Sequence, residues 1–192
     1  RDSLFSKITD AIRDECNIDF NTAFLDGSKF EADANKYKFV WKPTKYHQKL
    51  SDKIRIILSK YELSRNVPET GIIPATTIAD KITKFNNLIS NIDISDKSNK
   101  EIFKDYEFLK SALIKSLEYE EKEKICGPDR NSYYKTDHDA TAMCLKRDYY
   151  SGLGTNTHAA YNTQIIVCKG LIATYYVSQS RSDLKDLIPA LD

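Results

Sequence analysis

Thr22-Ala23-Phe24-Leu25-Asp26-Gly27-Ser28-Lys29-Phe30-Glu31-Ala32 decides how the rest of the chain is arranged. Thr22 to Leu25 carry no charge and read as a buried strand that reaches a carboxylate and a glycine. Ser28 to Ala32 either continue that strand or turn back along it. Asp33-Ala34-Asn35 break the run. Strict alternation follows, with Tyr37, Phe39 and Trp41 on one face of a second strand and Lys36, Lys38, Val40 and Lys42 on the other.

Upstream, Leu4, Ile8 and Ile12 recur every four residues and predict a short amphipathic helix. Downstream the pattern turns helical. Pro43 and Thr44 open a helix striped by Tyr46, Leu50, Ile54, Ile57, Leu58 and Tyr61. A second helix carries Ile78, Ile82, Phe85 and Ile89. A third runs from a capping box of Ser98 and Glu101 to Gly127-Pro128, roughly 40 Å at 1.5 Å per residue. Arg130 to Gly154 is polar and irregular. Tyr161 to Cys168, Lys169-Gly170 and Leu171 to Ser178 then read as strand, tight turn and strand. Asp183 caps a closing helix. The expected fold is mixed α/β. Residues 1–42 give the first helix and strands, 43–126 an inserted helical bundle, and 127–192 a loop, hairpin and helix start that complete the layer.

Composition agrees with a folded core: 192 residues, 41% apolar and 30% charged. The net charge of +1 excludes a histone-like protein and an acidic solvating tail, but it conceals a cancellation. Lys36 to Lys60 hold eight basic residues against Asp52 alone, and acids prevail elsewhere. Lys45, Lys49 and Lys53 are spaced by four, so they line one edge of a helix where a row of cations can neutralise successive phosphates. Tyr37, Phe39 and Trp41 could stack on bases, but packing against the bundle is the more ordinary role. No apolar run is long enough to span a bilayer, and Arg1 to Cys16 lack a secretory pattern. Cys16, Cys126, Cys144 and Cys168 show no paired spacing and read as reduced thiols of a cytoplasmic protein. The chain starts at Arg1 and stops inside an amphipathic run, so it reads as a piece of something longer.

Asp26 is a candidate ligand for Mg²⁺ or Mn²⁺, because a carboxylate at a strand end followed by Gly leaves room beside it. On the local pattern alone, an Asp that caps a turn is the commoner case. Asp137-His138-Asp139 invites a metal reading too, although neighbours on an extended segment face opposite ways. A polar loop with local Asx hydrogen bonds fits that segment equally well. His47 and His158 stand alone, and no P-loop, nucleophile elbow, dinucleotide fingerprint or zinc pattern occurs.

Two separated blocks carry a resemblance. The first runs from Phe24-Leu25-Asp26-Gly27-Ser28-Lys29 through Glu31-Ala32-Asp33-Ala34-Asn35-Lys36-Tyr37 to Phe39-Val40-Trp41-Lys42. The second is Arg130-Asn131-Ser132-Tyr133-Tyr134-Lys135-Thr136-Asp137-His138-Asp139-Ala140-Thr141-Ala142-Met143, followed by Tyr161-Asn162-Thr163-Gln164. Together they resemble the DDE transposases of bacterial insertion sequences. The match covers nearly all of the chain and is weakest from Leu63 to Lys97.

The resemblance implies a partial ribonuclease-H-like mixed sheet with a helical bundle inserted between its first strand and the following hairpin. It implies that Asp26 is the first acid of a catalytic triad. That acid would hold the Mg²⁺ (or Mn²⁺) that activates water, then a DNA 3′-hydroxyl, for attack on phosphorus. Lys36, Lys38, Lys42, Lys45, Lys49, Lys53, Arg130 and Lys135 become expected DNA contacts at element ends and target. Glu31, Asp137, Asp139, Thr141, Tyr161 and Asn162 become supporting signature residues. Self-association in the intact enzyme and a nucleoid-associated location are further expectations. Ala160 stands where the family has Gly, and Gly152 to His158 depart from its pattern. The second and third acids would lie on a later strand and helix beyond Asp192, so the chain is expected to be inactive alone. Two other readings remain open: a non-catalytic or inhibitory DNA-binding remnant, and a helical interaction domain with no nucleic-acid partner.

Overall fold

A computed structural model describes residues 3–90, 92, 99–152 and 156–191. The chain divides into two compact units, one of Arg1–Val40 with Ser132–Asp192 and one of Trp41–Asn131. The architecture is mixed α/β with antiparallel sheets.

In the first unit, α1 (Ser3–Glu15) precedes β1 (Phe24–Glu31). β1 continues through Gly27 without turning back, which settles the two options for Ser28 to Ala32. It pairs antiparallel with β5 (His158–Cys168), with Asp26 opposite Ile165 and Gly27 opposite Gln164. The other side of β5 is shared by β4 (Thr141–Met143) and β6 (Leu171–Ser178). The β5–β6 turn is Lys169-Gly170, both at positive φ (47° and 87°), as a two-residue hairpin turn requires. β2 (Phe39–Trp41) and β3 (Ser132–Tyr134) form a short two-stranded sheet. α5 (Lys146–Tyr150) and α6 (Asp183–Leu191) complete the unit.

β1 is an edge strand among the described residues, not the buried strand its apolar start suggests. Phe24 is 71% exposed and Phe30 53%. The expected stripe on α1 is likewise exposed at Leu4, Ile8 and Ile12. That helix instead buries Thr9 and sets Phe5 edge-on to Tyr175, ring centroids 5.1 Å apart. Burial in this unit lies along β5, where His158, Ala160, Asn162, Gln164, Ile166 and Cys168 all turn inward. Three of these six are polar, which sets up the networks described below.

The second unit contains α2 (Thr44–Lys60), α3 (Ala75–Ile89) and α4 (Lys100–Cys126). Ile54 and Leu58 of α2, Ile78 and Phe85 of α3 and Leu109 of α4 are fully buried in one apolar cluster. Phe85 sits at its centre, with Tyr61 edge-on at 4.7 Å and Tyr106 stacked at 5.7 Å. Each such side chain contributes about 1.5–3 kcal/mol on burial. α4 ends at Gly127, whose φ of 65° is a conformation that glycine adopts without strain. The Ser98–Glu101 capping box lies outside the described residues at Ser98; Glu101 itself pairs with Lys60 Nζ at 2.5 Å. Among the described residues, no helix is long and apolar enough to cross a membrane, and all four cysteines are free.

Candidate functional site

The two blocks meet within the first unit. Ala32 N donates to Ala159 O at 2.8 Å, Asn35 N to Thr136 Oγ1 at 3.1 Å, and Lys135 N to Lys38 O at 2.9 Å. Tyr134, Ala140 and Ala159 are buried beside Ala32, Ala34 and Tyr161. A cleft of about 490 Å³ opens there, lined by Ala32, Asp33, Lys135, Thr136, Asp137, His138 and Tyr161.

Asp137 turns inward. Its carboxylate accepts from the Tyr161 hydroxyl and from the amides of Asp139 (3.1 Å) and Ala140 (3.2 Å). This is the local Asx arrangement that the polar-loop reading expects. The Tyr161 bond and these amides hold the Asp137 carboxyl below its usual range. Burial, then Asp137, pushes the Tyr161 phenol up to about 12. Asp139 is exposed and accepts from Gln179 Nε2 at 3.2 Å. Thr141 is buried, with its hydroxyl oxygen unpartnered.

At the neighbouring end of β5, His158 is enclosed by acids. Its Nδ1 lies 2.7 Å from Glu31 Oε1, and because a carboxylate only accepts, Nδ1 carries the proton. Its Nε2 lies 3.1 Å from Asn156 Nδ2 and 3.3 Å from Asp148 Oδ2. The neutral ring therefore accepts from Asn156, whereas the protonated ring can donate to Asp148. Arg147 pairs with the second oxygen of Glu31. The His158 hydrogen bond, with help from Arg147, lowers the Glu31 pKa. Burial pushes Asp148 up, but bonds from Asn156, the Leu145 amide and His158 outweigh it and the pKa is lowered.

Further along β5, fully buried Asn162 donates to Asp183 Oδ1 at 2.8 Å and Asp186 Oδ2 at 3.0 Å. The signature residues Glu31, Asp137, Tyr161 and Asn162 are therefore parts of hydrogen-bond networks that organise β5. Sequence inspection left His158 as an isolated histidine. Its acidic partners lie 127 and 10 positions away, and no local spacing marks them.

Asp26 is exposed on β1. Among the described residues, no group of three His, Cys, Asp or Glu side chains could hold a metal ion. One carboxylate opposite Ile165 does not make an Mg²⁺ or Mn²⁺ site, so the residues present do not fit that ion at Asp26. No family profile matches the chain, and neither does any curated protein or solved structure.

The expected DNA contacts separate into two groups. In the second unit, Lys45, Lys49 and Lys53 are exposed along α2 and make no ion pair among the described residues, with exposed Trp41, Tyr46 and Ile56 nearby in sequence. Lys42 and Arg130 lie at the end of α4. Lys42 Nζ donates to Gly127 O at 2.6 Å, and buried Arg130 donates to Ile125 O at 2.6 Å and Cys126 O at 3.2 Å. Both satisfy carbonyls that the end of α4 leaves open. In the first unit, Lys36 reaches Asn156 Oδ1 at 3.5 Å, and Lys38 and Lys135 are exposed. Tyr37 is 80% exposed, Trp41 66% and Phe39 44%.

His47 presents a geometry that resembles a nucleophilic triad. Its Nδ1 lies 3.1 Å from Glu123 Oε2 and its Nε2 2.9 Å from Ser116 Oγ. Both His47 and Ser116 are fully buried, so no substrate reaches the hydroxyl. The arrangement ties α2 to α4.

Proposed function

We propose that this chain is the first part of the catalytic domain of a DDE-type DNA transposase and that, alone, it contacts DNA without cleaving it. The supporting observation is the meeting of the two resemblance-bearing blocks, about a hundred residues apart, through the Asn35–Thr136 and Lys38–Lys135 hydrogen bonds. The antiparallel run β1–β5–β6 followed by α6, with α2 to α4 inserted in sequence, is compatible with a partial ribonuclease-H-like sheet. Asp26 supplies one carboxylate to that chemistry. Among the described residues no group of three His, Cys, Asp or Glu side chains forms around it, and the phosphodiester step is assigned to the intact enzyme.

DNA contact rests on the α2 row. Four residues of helix rise about 6 Å, so Lys45, Lys49 and Lys53 set three ammonium groups along about 12 Å of backbone. The test is anisotropy of a labelled duplex titrated with the 192-residue chain between 50 and 200 mM salt. Affinity falls steeply with salt, and replacing the three lysines with Gln flattens that dependence. Binding that ignores both salt and the three lysines defeats the reading.

The lone carboxylate also favours a second reading, a non-catalytic remnant that inhibits a full-length relative. Asp26→Ala leaves DNA binding unchanged under either reading. Cleavage of labelled duplex in Mg²⁺ or Mn²⁺ by the chain alone would refute both.

A further inference from the structure

The outward side of α2 mixes cations with large uncharged side chains. His47, Ser51, Ile54 and Leu58 are buried, so the opposite side of the helix faces outward. Tyr46, Lys49, Lys53 and Ile56 are spaced by three, four and three, which sets them in one stripe on that outward side. Tyr46 and Ile56 are each 69% exposed. Lys45 borders the stripe one turn before Lys49. Trp41 belongs to the same unit, is 66% exposed and ends β2 three residues before α2 begins.

Two features separate this side from an ordinary solvated helix face. The first is uncompensated charge. Lys84, Lys110, Lys115 and Lys122, on α3 and α4, each pair with a carboxylate. Lys45, Lys49 and Lys53 make no ion pair among the described residues. The one acid between them, Asp52, is engaged by Arg55 at 2.7 Å and by Gln48 at 3.1 Å. Three ammonium groups on one side of a helix therefore call for an anion from outside it. The second feature is aromatic surface. The rings of Tyr46 and Trp41 stay mostly in solvent beside those ammonium groups, where stacking on another ring is open to them.

We propose that this face takes an unpaired DNA strand, with Lys45, Lys49 and Lys53 along its phosphates and Tyr46 and Trp41 stacked on its bases. The proposal rests on the reading of α2 as a DNA contact and names the form of DNA that suits it. Phosphates alone do not choose the form, because a duplex offers them too. Rings do. In a duplex the base faces are stacked on one another, so a ring on a helix surface meets only sugar and phosphate. An unpaired strand presents those faces, and each base stacked on an aromatic side chain tightens binding about 5- to 150-fold. An acidic peptide would answer the lysines but not the rings.

The experiment titrates the 192-residue chain with a fluorescein-labelled oligothymidylate of about 16 nucleotides and with its duplex, both read by anisotropy at one salt concentration. The single strand binds about tenfold or more tighter than the duplex. Trp41 is the only tryptophan, so its emission reports stacking directly. Saturating unlabelled oligothymidylate quenches it. This signal needs no substitution and stands whether or not a variant folds. Tyr46→Ala weakens the single strand about fivefold or more and the duplex less than about twofold, whereas Tyr46→Phe, which keeps the ring, binds like the parent. Equal affinity for the two forms, unchanged Trp41 emission at saturation, equal weakening of both forms by Tyr46→Ala, or displacement of the strand by polyglutamate of matched charge overturns the proposal. Failure of the DNA reading itself looks different and takes this proposal with it: neither form binds in a salt-dependent way, or the three-lysine variant binds both as the parent does.

Discussion

Gly27→Ala tests whether the Asp-Gly pair is set by close approach. The new methyl would lie 2.6 Å from Gln164 Nε2 and 2.9 Å from Asp183 Cγ and Oδ1. Gly27 is not among the residues at positive φ, so the substitution is not strained by its own backbone. The methyl is accommodated only if the Gln164 amide moves by about 1 Å, beyond an ordinary contact distance. That movement breaks its bonds to Asp183 Oδ1 (3.2 Å) and Asn162 Oδ1 (3.3 Å).

A hydrogen bond to a charged group contributes about 1.5–3 kcal/mol, and one between neutral groups about 1 kcal/mol. Replacing Gly in a strand returns about 0.5–1 kcal/mol through the unfolded chain. The expected net loss is about 2 kcal/mol, or about 1 M in urea midpoint. The sole tryptophan, Trp41, lies in the helical unit and is a poor reporter. Hydrogen exchange of the β5 amides across a urea series reads the sheet unit directly. An unchanged or higher midpoint for Gly27→Ala would refute the close-approach argument.

Acid should destabilise the same unit. Glu31, Asp137 and Asp148 all have lowered folded-state pKa values. Each contributes stability that is fully present above its unfolded value, near 4.5 for Glu31 and 3.8 for the aspartates, and that is lost as pH falls through the lower folded value. The urea midpoint of the β5 amides therefore declines below pH 4.5, and Glu31→Gln flattens that decline. In the helical unit, Ser116→Ala leaves buried His47 Nε2 without its hydroxyl donor. It should cost about 1–3 kcal/mol, measured by thermal unfolding at 222 nm. Replacing Lys45, Lys49 and Lys53 with Gln should reduce the slope of log K against log salt by up to about 2.7, at about 0.9 per phosphate contact. An unchanged slope would remove α2 from the DNA interface.

Local physics made much of the secondary structure legible in advance. The Pro43-Thr44 start of α2, the Ile78–Ile89 stripe, the Gly127 stop and the Lys169-Gly170 hairpin each follow from residues within a few positions. So do the Asx bonds of Asp137. What failed was the assignment of exposure. Leu4, Ile8 and Ile12 form a correct helical stripe on the uncovered side of α1, and the apolar start of β1 lies on an edge. Periodicity reports which residues share a face, but which face is covered depends on elements far along the chain.

The sequence by itself determined the mixed α/β composition, the helical middle, the lysine row of α2 and the presence of two distant blocks. Only the tertiary structure decided their chemistry. It gave Lys42 and Arg130 to the end of α4, enclosed His158 between Glu31 and Asp148, and brought Asp183 and Asp186 onto Asn162. A charge's role depends on the partners within about 4 Å, and antiparallel pairing supplies partners by register rather than by sequence distance.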